Sequence, residues 1–540
     1  MEYKIDRISE LPDPILDHIL SFIPIKQILQ LSILSKRWQN VWTLLTIPEF
    51  VQYQFTNNLR KVTPEEIQGK KQGFKSFVER YLLGHYRQRL SINKFRLNMM
   101  LDDESDCALL NRWIDYLVEC NVKELNLHVW MNRKIYEFPK NCFELPERVF
   151  VAKSITELKL SGCCKLNSFY NDINLPSLKK LVLDSFVENQ VVQALIDGCR
   201  NLEEMILECC YGLKSIQVSG LSKLMAIELL QNSELESVEI EASNLESLVF
   251  KLTRPCQINL GQCESLNKLL LYSCSITDKW LHDVLSKHPL IDCLYLRGCN
   301  LLKMIKISSH CMKSLAFIDC SELVEVDIVT PNLHRLEYDG DFISFSLNTS
   351  SISEVSLAFS DYDFSDVEKI EFLANLSHPK LLNWQTFTAE NVINIAKESR
   401  ENLPSPLYSV KQLKLKAYSL STRQIQELVD TLLWICPLLE ILFIEWQYEE
   451  AIDNISFTFT EKKEDNISFK FSYENPIDNL EDPSCCKLIP ILCWRHCLKT
   501  IKIENSRGSI EEDTLKKYFF DNAEILESFH YLKGSVSLKV

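Results

Sequence analysis

Cys493, His496 and Cys497 fall within five positions of one another and are the side chains best suited to chemistry in this sequence. Thiolate and imidazole are ligands that zinc prefers. A closed zinc site takes four such ligands, usually as two spaced pairs, and no second pair stands nearby. A packed turn explains the same residues without a metal. No GxxxxGK[ST] phosphate loop, HExxH or GxSxG motif occurs. With 12 Gly in 540 residues, little material remains for a Gly-rich cofactor loop. The expectation is a chain with no catalytic residues, no metal and no cofactor. A local basic run of Arg80, Arg87, Arg89, Lys94 and Arg96 offers either an anion site or a solvated face.

The elements that would position any site come from the rest of the chain. At 540 residues it exceeds a single core and calls for several units or an extended repeat. Its 46% apolar content is that of a folded protein. A formal charge of −15 opposes general nucleic-acid binding, which needs a basic face to displace phosphate counterions. The 20 Cys are scattered and form no CxxC pairs, so they frame neither a disulfide scaffold nor a zinc ribbon. The most apolar stretch, Thr431 to Trp446, contains Pro437 and Glu440 and falls short of the roughly 20 residues a membrane span needs. The start, Met1 to Asp6, has no signal-peptide core. A reduced cytoplasmic or nuclear setting is expected, with no membrane contact. The Asn-x-Ser/Thr triplets at Asn348, Asn375, Asn454 and Asn466 are then chance matches.

Residues 11–42 read LPDPILDHILSFIPIKQILQLSILSKRWQNVW. Pro12 and Pro14 mark a helix start that Asp13 can cap. Ile15, Leu16, Ile19, Leu20 and Ile23 follow at helical spacing, and Pro24 ends the helix. Ile28, Leu29 and Leu31 to Leu34 belong to a second helix, and Ser35 to Trp42 extend it or begin a third. A three-helix unit of about 40 residues cannot hide every face of such helices within itself. Surplus apolar surface at Leu11, Pro12, Ile15, Leu20 and Leu34 must meet a partner or the rest of the chain, and periodicity leaves both open. The ordered string Leu11-Pro12, Ile19-Leu20, Ile23-Pro24 and Leu34-Ser35-Lys36-Arg37-Trp38 resembles the F-box family. The resemblance implies docking onto a Skp-family adaptor and, through it, a cullin scaffold. It implies Leu11, Pro12, Ile15, Leu16, Ile19, Leu20, Ile28, Leu34, Ser35 and Trp38 as the contact residues. Leu34 stands where many family members carry Val, and Trp38 has a competing reading as a core residue.

After a mixed stretch, Thr63-Pro64-Glu65-Glu66 signals a helix start, and Phe74, Phe77, Val78, Tyr81, Leu82 and His85 follow helical spacing. From about residue 92 a pattern recurs: apolar, two residues, apolar, one residue, apolar. It appears as Ile92-Phe95-Leu97, Val122-Leu125-Leu127, Ile155-Leu158-Leu160, Leu178-Leu181-Leu183 and Leu202-Met205-Leu207. The alternation predicts short strands with one apolar face. Met205, Ile227, Leu248, Leu269, Leu294, Leu315, Leu336 and Val355 anchor repeats whose spacing, about 19 to 25 residues, is close to that of leucine-rich repeats. The position after each strand often holds Cys or Asn: Cys163, Cys210, Asn232, Cys274, Cys299 and Cys320. Such side chains are expected to turn inward and serve backbone groups, as buried and inert thiols. A second set, Leu213-Ile216-Val218, Leu235-Val238-Ile240, Leu302-Ile305-Ile307 and Leu323-Val326-Ile328, predicts extended outer segments. Asn189 to Cys199, Thr277 to His288 and Ser421 to Cys436 predict outer helices.

Residues 449–484 break this pattern with a small duplication, Asp453 to Phe457 and Asp465 to Phe469, read as a hairpin or a loose strand pair turning at Glu461 to Asp465. Beyond it, Leu498-Lys499-Thr500-Ile501-Lys502-Ile503 and Asn522-Ala523-Glu524-Ile525-Leu526-Glu527 resemble the FBD domain that follows leucine-rich repeats in plant F-box proteins. Asn505-Ser506-Arg507-Gly508 lacks that family's turn aromatic. The chain is thus read as α/β. A three-helix F-box spans 6–48, and a linker and helix 49–90. A leucine-rich-repeat solenoid spans 91–448, with a curved parallel sheet and mixed outer segments. An insertion loop follows at 449–485 and an FBD-like region at 486–540.

Stacked strands offer a long surface for a macromolecule. Glu157, Lys159, Lys180, Glu228, Glu239, Lys268, Tyr272, Tyr295 and Arg297 are among its solvent-facing residues. The reading that unites both ends is a substrate receptor of a cullin-based ubiquitin ligase, with an unidentified protein substrate on the repeats. A ligand-dependent co-receptor would need a basic or aromatic pocket, and no basic cluster is evident on the strands. A scaffold without ubiquitin output fits the same residues, and an enzyme lacks a catalytic constellation.

Overall fold

Leucines two apart place their side chains on one face of a strand, and repeating that unit stacks strand on strand. The computed structural model describes residues 11, 12, 15, 19, 49–56, 63–131, 143–166, 173–359, 366–376, 379–388, 407–419, 425–448, 463–474, 494–504 and 512–532. They fall into two units, residues 1–266 and 267–540.

The first unit holds β1 (Phe50–Val51), β2 (Lys94–Leu101), β3 (Glu124–Met131), β4 (Phe143–Glu144), β5 (Glu157–Leu166), β6 (Lys180–Val187), β7 (Glu204–Glu208), β8 (Ser215–Val218), β9 (Ala226–Leu230), β10 (Ser237–Ile240), β11 (Ser247–Lys251) and β12 (Gln257–Leu260). The main sheet runs β1, β2, β3, β5, β6, β7, β9, β11, all parallel, with β4 beside the end of β5. Its register aligns the expected anchors: Phe95, Leu125, Leu158, Leu181, Met205, Ile227 and Leu248 pair in turn. The second apolar set forms a separate parallel sheet, β8-β10-β12, with Ile216, Val238 and Ile258 in one row.

Residues 49–90, expected as a linker and helix, form the first layer of this unit. Phe50 pairs with Leu97 and packs against Phe77, Tyr81 and Phe95. Behind it lie α1 (Gln52–Thr56) and α2 (Pro64–Gln88). The Thr63 side chain accepts from the Glu66 N–H and Glu66 accepts from the Thr63 N–H, a reciprocal cap at the expected helix start. A helix not anticipated from the sequence, α3 (Glu104–Glu119), buries Leu110, Trp113, Ile114 and Leu117. Lys75 on α2 reaches the buried Asp106 carboxylate at 2.5 Å, tying the two helices together. Further on, α4 (Asn189–Gly198) fills the crossover between β6 and β7.

The second unit holds β13 (Lys268–Tyr272), β14 (Cys293–Arg297), β15 (Met304–Ser308), β16 (Ser314–Ile318), β17 (Glu325–Val329), β18 (Arg335–Gly340), β19 (Ser344–Asn348), β20 (Glu354–Phe359), β21 (Leu381–Thr388), β22 (Gln412–Ser419), β23 (Ile441–Tyr448), β24 (Lys463–Tyr473), β25 (Leu498–Glu504) and β26 (Ser528–Leu532). β13, β14, β16, β18, β20, β21, β22 and β23 are successive parallel neighbours, and β15-β17-β19 form a second short-strand sheet. Its helices are α5 (Asp278–Lys287), α6 (Asp366–Ala374), α7 (Ile425–Ile435), α8 (Trp494–Cys497) and α9 (Glu512–Asn522).

Repeat length decides which outer segment forms. Leu294, Leu315 and Leu336 are 21 positions apart, and their crossovers hold five-residue strands. Leu269 to Leu294 takes 25 positions and holds the ten-residue α5. A helix rises about 1.5 Å per residue and a strand about 3.3 Å, so covering one length takes roughly twice the residues as helix.

The expected insertion loop is corrected in part. Lys463–Tyr473 is a strand of the main sheet, antiparallel to both β23 and β25, with Ile467 and Phe469 fully buried. The hairpin partner Phe457 to Phe459 lies outside the described residues. Lys463 to Asp465, expected in the turn, pair with Tyr448 to Trp446. A run with two buried apolar positions gains more by joining an open sheet edge than by pairing with its own duplicate. Among the described residues no helix is long and apolar enough to cross a membrane.

Candidate functional site

Each strand of the middle repeats must bend at its end, and one backbone device does this five times. Cys209, Gln231, Ser273, Gly298 and Asp319 have φ between 47° and 64°, the left-handed region. Their N–H groups donate to the last carbonyl of the next strand, or for Asp319 the last but one, at 2.6 to 2.9 Å. The residue after each one is the expected Cys or Asn, now turned inward. The Cys210 thiol donates to the Leu183 carbonyl at 3.3 Å, Cys299 to Leu271 at 3.7 Å and Cys320 to Leu296 at 3.8 Å. The Asn232 amide does more: it donates to the Leu207 carbonyl and accepts from the Cys210 N–H, both at 2.8 Å. Cys274 reaches the Tyr272 carbonyl of its own strand. The Cys163 side chain lies outside the described residues. Burial pushes the Cys199, Cys210 and Cys299 thiols up to about 12, and it also raises Cys320. These thiols are structural donors, not nucleophiles.

With the anchors turned inward, the alternate residues of the main-sheet strands face solvent. In the first unit Lys94 pairs with Glu124 at 2.5 Å and Lys180 with Glu204. Glu157 stands beside both Glu124 and Lys180, and Lys159 lies between Asn126 and Val182. Glu228 neighbours Ile206 and Val249. In the second unit Tyr272 and Tyr295 pack at 5.1 Å, Arg297 pairs with Asp319 at 3.1 Å, and Lys268 stands beside Cys293. Glu239 is corrected. It lies on β10, in the short-strand sheet, because its triplet belongs to the second apolar set. The basic run is divided: Arg80 and Arg87 lie on α2, Arg89 caps it, and Lys94 and Arg96 lie on β2.

Sequence reasoning missed one group on this face: Glu337, Asp339, Ser356, Ala358, Asn383, Gln385, Lys414 and Lys416, which line a cleft of about 310 Å³. Their strands are unevenly spaced along the chain, and only the register brings them side by side.

Of the expected docking residues, Leu11 is half-buried and Pro12 exposed, and the Pro12 carbonyl accepts from the Ile15 N–H at 3.0 Å. Ile15 and Ile19 are helical, one turn apart, and 47% and 37% exposed. Leu16, Leu20, Ile28, Leu34, Ser35 and Trp38 lie outside the described residues. At the other end, the buried His496 ring faces the Glu524 carboxylate at 3.0 Å, and Arg495 faces the buried Asp430 at 3.6 Å. Cys497 is buried and Cys493 lies outside the described residues. Among the described residues no group of three or more His, Cys, Asp or Glu is placed to hold a metal ion.

The family model of the At1g61320/AtMIF1 LRR domain matches residues 83–263 and 253–463, and the F-box domain model matches residues 8–49. The chain belongs to the F-box/leucine-rich-repeat family. It is similar to the Arabidopsis thaliana F-box/LRR-repeat protein At4g14096, at 30% identity over 252 residues, covering 45% of this chain and 50% of the relative. F-box/LRR-repeat protein At3g59200 is 33% identical over 213 residues, 37% of this chain and 36% of that protein. FBD-associated F-box protein At5g22730 is 28% identical over 204 residues, 37% and 39% of the two chains. The chain spans half the length or less of these three curated relatives.

Proposed function

We propose that this F-box/leucine-rich-repeat protein is the substrate-recognition subunit of a Skp-cullin-F-box ubiquitin ligase, acting in the cytoplasm or nucleus. The F-box match at residues 8–49 carries the reading, supported by Ile15 and Ile19 standing exposed on one helical face. In this reading Leu11, Pro12, Ile15, Leu16, Ile19, Leu20, Ile28, Leu34, Ser35 and Trp38 dock on the Skp-family adaptor. The solvent face of the main-sheet strands holds a protein substrate. The subunit performs no chemistry. It raises the effective concentration of substrate lysines near a ubiquitin-charged enzyme.

The test is adaptor binding by the full chain with Ile15→Ala and Ile19→Ala. Fully burying an isoleucine is worth about 1.5–3 kcal/mol. Covering the exposed 47% and 37% is then worth about 2 kcal/mol in all, roughly thirtyfold in Kd. Both side chains are already exposed in the free chain, so the fold should tolerate their loss. Binding of a purified Skp-family adaptor is expected to weaken by that factor, and an unchanged Kd would overturn the docking assignment.

A further inference from the structure

Two rows of side chains cross the main sheet of the second unit in the same chemical order. In the first, Glu337, Ser356, Asn383 and Lys414 are successive register partners on β18, β20, β21 and β22. In the second, Asp339, Ala358, Gln385 and Lys416 are successive partners on the same strands. Each row reads acid, small residue, amide, base. Together they make a cleft of about 310 Å³ with an acidic wall, a low floor and a basic wall.

The two walls do not neutralise each other. Three inter-strand steps of about 4.8 Å hold them about 14 Å apart. Arg297 pairs with Asp319 and Arg335 with Glu354. That leaves Glu337 and Asp339 without an ion-pair partner among the described residues. Burial first, then the neighbouring Asp319 and Glu337, push the Asp339 carboxyl above its usual range against the smaller opposing pull of Arg297. A carboxylate so placed is held in its charged form at neutral pH at some cost to stability. On the opposite wall Lys416 lies 3.7 Å from Glu445, and Lys414 lies over the Phe443 ring.

We infer that this cleft docks an extended polypeptide segment carrying one basic and one acidic residue about four positions apart. The inference rests on the reading of the main-sheet face as the substrate surface. A free amino acid is too short to touch both walls. An extended chain rises about 3.3 Å per residue and alternates its side chains, so positions i and i+4 share a face about 13 Å apart. In a helix positions i and i+4 lie only about 6 Å apart along the axis, too close to reach both walls. The basic residue faces Glu337 and Asp339 and the acidic one faces Lys414 and Lys416; between them the peptide N–H groups meet the side-chain carbonyl of Asn383, whose own amide N–H groups already donate to Glu354 and Ser356.

The test uses the full chain and a fluorescein-labelled nonapeptide of Gly, Ser and Thr carrying Lys and Glu four positions apart. Anisotropy at low ionic strength avoids screening. Glu337→Gln with Asp339→Asn, and separately Lys414→Gln with Lys416→Gln, are each expected to weaken binding at least about threefold, the scale of exposed ion pairs. A peptide with Lys and Glu adjacent is expected to bind no better than either variant binds the original. Absent binding, equal binding of both peptides, or variants indistinguishable from the native chain would overturn the inference. Sedimentation showing a dimer that the Glu337/Asp339 variant breaks would assign the cleft to a second copy and overturn it as well. Adaptor binding measured on the same samples separates the two readings: its loss with peptide binding intact sinks only the ligase assignment. The reverse sinks only the cleft.

Discussion

Asn232→Ala isolates the device on which the repeat ladder depends. Asn232 is 2% exposed, and its amide serves two backbone groups at once, the Leu207 carbonyl and the Cys210 N–H. Alanine leaves both buried and unserved, and each such group costs about 1–3 kcal/mol, so the loss is about 2–6 kcal/mol. Asn232→Cys gives an internal calibration. A thiol can still donate to Leu207 O, as Cys210, Cys299 and Cys320 donate to their own carbonyls. Its sulfur accepts the Cys210 N–H only weakly, the place that Cys299 and Cys320 fill for the Cys274 and Cys299 N–H groups, so the cost stays at or below about 1–3 kcal/mol. Stacked repeats open locally, so hydrogen exchange of the β7 and β9 amides is the appropriate assay. Exchange there should quicken at least about thirtyfold in the alanine variant, with the cysteine variant between it and the native chain. If alanine costs under about 1 kcal/mol, or cysteine costs as much as alanine, the inward hydrogen bonds are not what holds the bend.

Two further predictions concern titration. Native Cys199, Cys210 and Cys299 should resist maleimide at pH 8 and label only on unfolding, because burial holds their pKa at about 12; half-buried Cys107 and Cys311 are the comparison, read by mass spectrometry. Labelling of the three at the rate of the pair would contradict the burial argument. His85 is buried and its pKa is depressed by that burial, so the unfolded chain binds the proton more tightly. Its contribution to stability is present above about pH 6.5 and is lost as pH falls through the lower folded value. His85→Gln should flatten the fall in Tm between pH 7 and 5, and an unchanged slope would remove His85 from the account.

Local signals exposed much of this fold because its units are local. The L-x-L alternation gave the strands, and the pairing of Phe95 through Leu248 in the first unit follows it position by position. Thr63 with Glu66 capped the helix it announced, and Thr277 caps α5 through the Trp280 N–H. What escaped needed knowledge of neighbours far along the chain. β24 looked like half of a hairpin because its duplicate lay close by; its partners are β23 and β25. The two rows of the cleft escaped because Leu336, Val355, Leu382 and Leu413 are 19, 27 and 31 positions apart. No fixed period projects Glu337 onto Lys414. Lys414 and Lys416, two positions apart, are legible as a basic pair on one face of β22; the acids opposite them are not, because the sequence places those far away.

Stability and recognition are carried by alternate residues of the same strands. The inward set is fully buried and served by the ladder, so almost any polar change there is costly. The outward set is bound by weaker rules, since an exposed ion pair contributes about 0–1 kcal/mol. Pairs such as Lys180 with Glu204 or Arg335 with Glu354 can therefore be exchanged with little effect on folding. A surface of this kind can change what it contacts without changing its fold. Two outward residues depart from the rule. Asp184 and Asp339 are half-buried, and burial raises both their pKa values. Each disfavours the charged form that neutral pH imposes, so each lowers stability where it stands. For Asp339 this cost coincides with a place in the lining of a cleft. In the second unit that position is one wall of the cleft. Asp339→Asn is therefore expected to separate the two roles, keeping or raising Tm while weakening the peptide.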